Sequence, residues 1–124
     1  MAAPNIVNVI SITGKTTYLT PANTTANVLL ANSASSNKVF KINMITVANV
    51  DGTASADATI SINTVSDGSG TSYPIISTVT IPPDATVIAI DKSTSFYLEE
   101  NRSIVVTASS ASDLTFVVSY EEIS

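Results

Sequence analysis

Apolar and polar residues alternate with a period of two along most of this chain, which is the pattern of β-strands with one buried face. The last such segment, Leu114–Glu121, illustrates the pattern, because every second residue from its first position is a large apolar or aromatic one. No window places apolar residues at helical spacing among good helix formers. The pattern therefore predicts an all-β chain.

Nine segments are rich in β-branched residues and are bounded by Gly, Pro, Asn, Asp or Ser, and each is predicted to be a strand. They are Ile6–Thr13, Thr16–Leu19, Asn27–Asn32, Lys38–Val50, Asp57–Val65, Ile75–Ile81, Thr86–Ile90, Ser103–Ser109 and Leu114–Glu121. A glycine turn at Gly14-Lys15 is expected to separate the first two strands, because glycine supplies turn conformations without steric cost.

The fourth segment, Lys38–Val50, does not keep one register. Phe40, Ile42 and Met44 occupy one set of alternate positions, whereas Ile45 and Val47 occupy the other. Two explanations remain open at this stage: a β-bulge near Met44-Ile45 switches the faces, or both faces of this strand are covered.

Eight or nine short antiparallel strands with frequent turns are typical of a β-sandwich. We expect one sandwich domain over residues 1–124, jelly-roll-like, with an immunoglobulin-like connectivity as the alternative. The length suits one self-sufficient core.

The composition makes several classes of function unexpected. The chain has no His, Cys or Trp, only 12% charged residues and a net charge of −5. Its five cations are scattered, so nucleic acid is not an expected partner. The apolar runs are too short to cross a bilayer, and the N-terminus does not have the pattern of a secretory signal. A surface poor in charge favours close packing against neighbouring molecules.

No catalytic or cofactor site is expected. Serine or threonine nucleophiles lack a histidine base, and zinc or copper lack their usual ligands. Gly14-Lys15-Thr16 lacks the first glycine of a phosphate-binding loop, because that position is Val9. The adjacent carboxylates Glu99-Glu100 and Glu121-Glu122 would point to opposite faces of a strand, so they are interpreted as solvated strand ends.

Calcium is a weaker candidate for a ligand. The aspartates Asp51, Asp57, Asp67 and Asp84 lie in or beside turns and could supply oxygen ligands from separate loops. Asx turns explain the same residues without a metal, and we expect no metal site.

The aromatic residues Tyr18, Tyr73, Phe96 and Tyr97 fall at predicted strand ends and loops. Buried, they would close the ends of the sandwich; exposed, they could stack on sugars. The buried arrangement is the more common one, and it is the expectation here.

Three stretches carry a resemblance to a known family. They are Ala3–Val9 with Ile12–Lys15, Lys38–Asn43 with Val47–Gly52, and Phe96–Asn101 with Ser119–Ile123. Together they resemble small β-sandwich virion proteins of tailed bacteriophages, especially marine ones, of the capsid decoration or cement type.

The resemblance implies a non-enzymatic protein on the capsid exterior that stabilises the lattice of the major capsid protein and self-associates, with a trimer favoured. Its contact residues would be Ile6, Val7, Val9 and Ile123. The alternative is a tail- or fibre-associated glycan-binding module that recognises the host, with Tyr73 near the Asp67–Gly70 loop and Tyr97 near Asp91.

Overall fold

A computed structural model describes residues 7–124. Its nine strands are β1 Ile12–Leu19, β2 Asn27–Asn32, β3 Val39–Asn49, β4 Ala56–Asn63, β5 Ser72–Ile81, β6 Thr86–Ile90, β7 Phe96–Leu98, β8 Arg102–Ala108 and β9 Leu114–Ile123. One 3₁₀ turn, Lys92–Thr94, lies between β6 and β7. The all-β prediction is confirmed, and so are most predicted strands to within three residues at each end.

The strands form two antiparallel sheets. The first sheet has the order β1-β9-β3-β6, with β7 also paired to β3, and the second has the order β2-β8-β4-β5. Successive strands pass from one sheet to the other except at β4-β5 and β6-β7. This is the double-sheet jelly roll, whereas an immunoglobulin fold would keep its first two strands in one sheet.

The core lies between the two sheets and is built from the inward faces of the strands. Phe116 and Val118 of β9 are fully buried there, opposite Ile104 and Val106 of β8. The predicted core face of β9 is confirmed, because Leu114 and Tyr120 also belong to this cluster. A core of this kind needs neither a metal nor a disulfide.

Of the two explanations left open for β3, the structure shows the bulge. The register between β3 and β9 shifts between Ile42 and Met44, so that Phe40 and Ile42 face inward before the shift and Ile45 and Val47 after it. One extra residue in a strand reverses the alternation of its side chains, which explains the change of register in the sequence.

The glycine turn at Gly14-Lys15 was a wrong prediction. Gly14 lies inside β1 and pairs with Glu121 in an unshifted register that runs from Ile12 to Leu19. The predicted strand Ile6–Thr13 is also wrong within the described residues, because residues 7–11 are not strand. Gly14 is tolerated in the strand because β1 lies at the edge of its sheet.

The alternation pattern does not predict a strand at Phe96–Leu98, which is β7. Only three residues pair there, Phe40 with Leu98, Lys41 with Tyr97 and Ile42 with Phe96. Three residues are too few to show a period of two, so the sequence pattern could not distinguish this strand from a loop.

Candidate interaction surface

The outward face of the first sheet carries a row of side chains that crosses four strands. Tyr18 of β1 pairs with Val117 of β9, which pairs with Thr46 of β3, and Thr46 pairs with Ile88 of β6. Paired residues of antiparallel strands point to the same face. Tyr18 is 74% exposed and Ile88 is 65% exposed, so the two ends of this row offer apolar surface to solvent.

The neighbouring rows on this face are also uncharged. One contains Thr16, Ser119 and Met44, and the other contains Thr20, Thr115, Ala48 and Thr86. Charge begins one row further, where Gly14, Glu121, Lys41 and Tyr97 lie in register. We call the three uncharged rows the open face.

A shallow depression of about 350 Å³ borders the open face at the β3 bulge. Asn43, Met44 and Ser119 line it from the sheet, and Asp91 and Lys92 line it from the 3₁₀ turn. Asp91 caps that turn by accepting from Ser93, and these hydrogen bonds lower the pKa of its carboxyl. The carboxylate is therefore already engaged in shaping the rim of the depression.

The second sheet presents a different outward face, because its own β4–β5 loop, residues 64–71, folds over part of it. Gly68 has a φ of +82°, and a Cβ there would lie 3.1 Å from Val28 and 3.3 Å from Val105. Val105 points outward, yet it is only 5% exposed. Ser103 donates to the carbonyl of Val65 at 2.8 Å and ties the loop down. We call this surface the covered face.

Asn63 holds the loop in place from the last position of β4. Its side-chain amide donates to the carbonyls of Gly68 and Gly70 and to the hydroxyl of Ser72, and its carbonyl accepts from the backbone N–H groups of Val65 and Gly70. The residue is 1% exposed. A buried amide with all these partners fixes one loop conformation, since any other would leave polar groups unpaired.

Two further asparagines act in the same way where strands end. Asn32 donates to the carbonyls of Lys38 and Leu98, and therefore joins β2 of the second sheet to β7 of the first. Asn49 donates to the carbonyls of Ala54 and Ile81, and joins β3 to the end of β5. We call Asn32, Asn49 and Asn63 the asparagine clasps. Sequence analysis missed them, because an asparagine after a strand is also the usual mark of an exposed turn.

Glu122 forms the centre of a small charge cluster beside β1. Its two carboxylate oxygens lie 2.8 Å from Lys15 Nζ and 2.5 Å from Lys38 Nζ. Hydrogen bonds from Lys15 and then Lys38 lower the pKa of Glu122, and the same contact raises the pKa of Lys15. Glu122 was predicted to be a solvated strand end, but its side chain is only 14% exposed and it anchors two strands.

Two of the four aspartates considered for calcium, Asp51 and Asp67, accept hydrogen bonds within turns in this structure. Asp51 accepts from the N–H and hydroxyl of Thr53, and these bonds lower the pKa of its carboxyl. The hydroxyl and the N–H of Ser69 lower the pKa of the Asp67 carboxyl. Asp57 accepts from the Thr80 hydroxyl. Among residues 7–124, no three acidic, His or Cys side chains form a group that could hold a metal ion.

Three of the four aromatic residues are exposed, contrary to the expectation that they close the ends of the sandwich. Tyr18, Tyr73 and Tyr97 are 74%, 62% and 47% exposed, whereas Phe96 packs against the core. Tyr18 and Tyr97 belong to the first sheet and Tyr73 to the edge strand of the second. The three tyrosine rings therefore do not form one stacking surface.

The predicted contact residues are dispersed. Ile6 lies outside the described residues. Val7 is 90% exposed and Val9 is half-buried, both ahead of β1, whereas Ile123 is 5% exposed and pairs with Ile12 and Val39. Ile123 therefore has little exposed surface for a contact, whereas the open face has exposed apolar side chains. In the part of the chain that the structure describes, no helix is long and apolar enough to cross a membrane.

No family model and no curated protein matches this chain. Two of the solved chains that match this fold are informative. One is a chain of the disulfide-linked pili that form Bacillus endospore appendages, with 15% identity, a TM-score of 0.51, and coverage of 90% of this chain and 85% of that chain. The other is a chain of the acid-stable capsid of Helicobacter pylori bacteriophage KHP30, with 9% identity, a TM-score of 0.51, and coverage of 94% and 90%.

Identities this low show a shared fold and nothing further. The fold is therefore one that also occurs in subunits of a phage capsid and of a pilus. Because this chain has no cysteine, it cannot form the disulfide links of the pilus assembly.

Proposed function

We propose that this chain is a non-enzymatic structural protein of a bacteriophage virion, which sits on the exterior of the capsid and packs against the major capsid protein through the open face. The observation that carries the proposal is the uncharged row Tyr18–Val117–Thr46–Ile88, whose two ends, Tyr18 and Ile88, are 74% and 65% exposed on one face of the sheet.

The chemistry of the open face suits a permanent contact. Threonine and serine hydroxyls can exchange hydrogen bonds with water for hydrogen bonds with a partner, without the large cost of burying a charge. Tyr18, Met44 and Ile88 are the residue types that fill the apolar centre of interfaces. The fold shared with a phage capsid chain supports the same role.

The test is a binding assay with capsids of the source phage assembled without this protein. Capsids are mixed with the purified chain, sedimented, and analysed for bound protein. We expect saturable binding of the wild type, and a loss of at least about tenfold in affinity for Ile88→Lys, because a charge would enter the uncharged contact.

The matched control is Ala31→Lys, which places the same charge on an exposed position of the second sheet. It should bind like the wild type. Equal binding by both variants would refute the open face as the contact, and no binding by the wild type would refute the capsid role itself.

A glycan-binding module remains the second proposal, because Tyr73 and Tyr97 are exposed as that role requires. Because the two tyrosines lie on different sheets, a sugar bound at either one could stack on only one of them. A glycan array would support this role if it showed binding that Tyr73→Ala or Tyr97→Ala abolishes.

A further inference from the structure

The four sheet edges of this sandwich are not protected equally. An edge strand presents unpaired N–H and C=O groups, and proteins usually blunt such edges with proline, bulges or short strands. β5 has Pro74, two register shifts against β4, and a positive φ at Thr78. β2 has a register shift between Val28 and Leu30.

The far edge of the first sheet is blunted as well. β6 has five residues and a register shift against β3, and β7 has only three residues. By contrast, β1 has eight residues, no proline and an unshifted register against β9. Its one charge, Lys15, is engaged by Glu122. Among residues 7–124, no strand pairs with the outer side of β1.

The backbone groups that β1 offers can be assigned from the hydrogen bonds at its start. Ser11 and Ser124 exchange both of their N–H···O bonds, at 3.0 and 2.9 Å. Hydrogen-bonded pairs alternate along an antiparallel ladder, so Thr13, Lys15, Thr17 and Leu19 direct their backbone groups toward β9. Ile12, Gly14, Thr16 and Tyr18 direct theirs toward the open edge.

We propose that β1 pairs antiparallel with β1 of a second copy of this chain, about a two-fold axis that passes beside Thr16. The outward-directed N–H and C=O groups of the two β1 strands meet only when even-numbered residues pair with even-numbered residues. The same pairing keeps the two open faces on one side of the joined sheet. The register centred on Thr16 pairs Gly14 with Tyr18 of the partner copy. The register centred on Lys15 would instead bring two lysines face to face, which is unfavourable.

The Gly14–Tyr18 pair fits this register sterically. A Cβ at Gly14 would meet no atom within 4 Å, so the space beside it is open. The exposed Tyr18 ring of the partner can lie over that glycine, an arrangement that shields glycine in edge strands. The result is one continuous sheet in which both open faces point the same way, as one larger surface.

The dimer is independent of the proposed virion role, because it can be tested with the purified chain and without capsids. The mass of the full-length chain is measured by analytical ultracentrifugation over a dilution series, with wild type, Thr16→Lys and Thr86→Lys. We expect a wild-type dimer, a dissociation constant at least about tenfold higher for Thr16→Lys, and no change for Thr86→Lys on the opposite edge.

The register is tested with single cysteines, which are clean probes in a chain that has none. Under mild oxidation Thr16→Cys should form a disulfide-linked dimer, since opposed residues of a hydrogen-bonded pair lie about 5.5 Å apart between Cα atoms, within disulfide range. Lys15→Cys and Thr86→Cys should remain monomeric on a non-reducing gel.

A monomer at every concentration would overturn the inference, and so would the trimer that the sequence resemblance favours. Stronger linkage through Lys15→Cys than through Thr16→Cys would overturn the assigned register. Thermal unfolding of each variant shows that a lost dimer is not a lost fold, because Thr16 is exposed and its substitution leaves the β1–β9 ladder intact.

Discussion

The outward faces of the two sheets differ in what covers them. On the covered face, residues 64–71 fold back over Val28 and Val105, and Asn63 fixes that loop with five hydrogen bonds. On the open face, Tyr18 and Ile88 stay exposed. Among residues 7–124, a loop covers apolar side chains on the second sheet, whereas Tyr18 and Ile88 of the first sheet remain accessible to a partner.

The largest effect is expected from removing the clasp at Asn63. Asn63→Ala leaves the carbonyls of Gly68 and Gly70 and the N–H of Val65 without partners, and we expect a loss of about 3 kcal/mol in the free energy of unfolding. Urea denaturation measures this loss.

Asn43→Ala is the control for Asn63→Ala. Asn43 lies on the first sheet, and among residues 7–124 its side-chain amide donates to Glu121. We expect that variant to lose less than about 1 kcal/mol, because the position is half-exposed. Equal losses in the two variants would mean that the loop is not what Asn63 stabilises.

A smaller effect separates two glycines, one on each face. Gly68→Ala must accept a positive φ and a contact of 3.1 Å with Val28, and should lose about 1–2 kcal/mol. Gly14→Ala meets open space in β1, and should gain up to about 1 kcal/mol, because alanine loses less backbone entropy on folding. The midpoints of urea unfolding compare the pair. Equal losses of stability in both variants would show that Gly68 is no more constrained by its surroundings than Gly14.

The smallest effect concerns the clamp that holds β1, the boundary of the open face. The pKa of Glu122 is lowered by Lys15 and Lys38, so the carboxylate stabilises the fold above its ordinary value of 4.5 and this contribution is lost as the pH falls through the lowered value. Glu122→Gln should cost about 1 kcal/mol near neutral pH and nothing once the wild-type carboxyl is protonated.

Unfolding of both proteins between about pH 7 and about pH 2 checks this prediction. The two curves should converge at the acidic end. Curves that stay parallel would show that the cost of Glu122→Gln does not come from the charge.

How much of this structure follows from sequence depends on the range of the interaction. The alternation along β9 is local and was predicted correctly, whereas the reversed alternation in β3 was visible in the sequence but its cause, a bulge, needed the pairing with β9. Gly14 was mistaken for a turn, because its pairing with Glu121 joins residues at opposite ends of the chain. The loop contact of Gly68 with Val105 also depends on distant residues, so nothing near Gly68 indicates which face is covered. The open face is an arrangement of four strands, and only their order brings Tyr18 and Ile88 onto one surface.

The asparagine clasps also affect the deamidation of their own side chains. Asparagine side chains slowly hydrolyse to aspartate in water, which replaces an N–H donor by a negatively charged oxygen. At Asn32 and Asn49 that oxygen would face two backbone carbonyls in a site that is at most 2% exposed. Such a product is strongly disfavoured while the fold is intact. The same hydrogen bonds that hold these strand ends together therefore disfavour this chemical change in the folded protein.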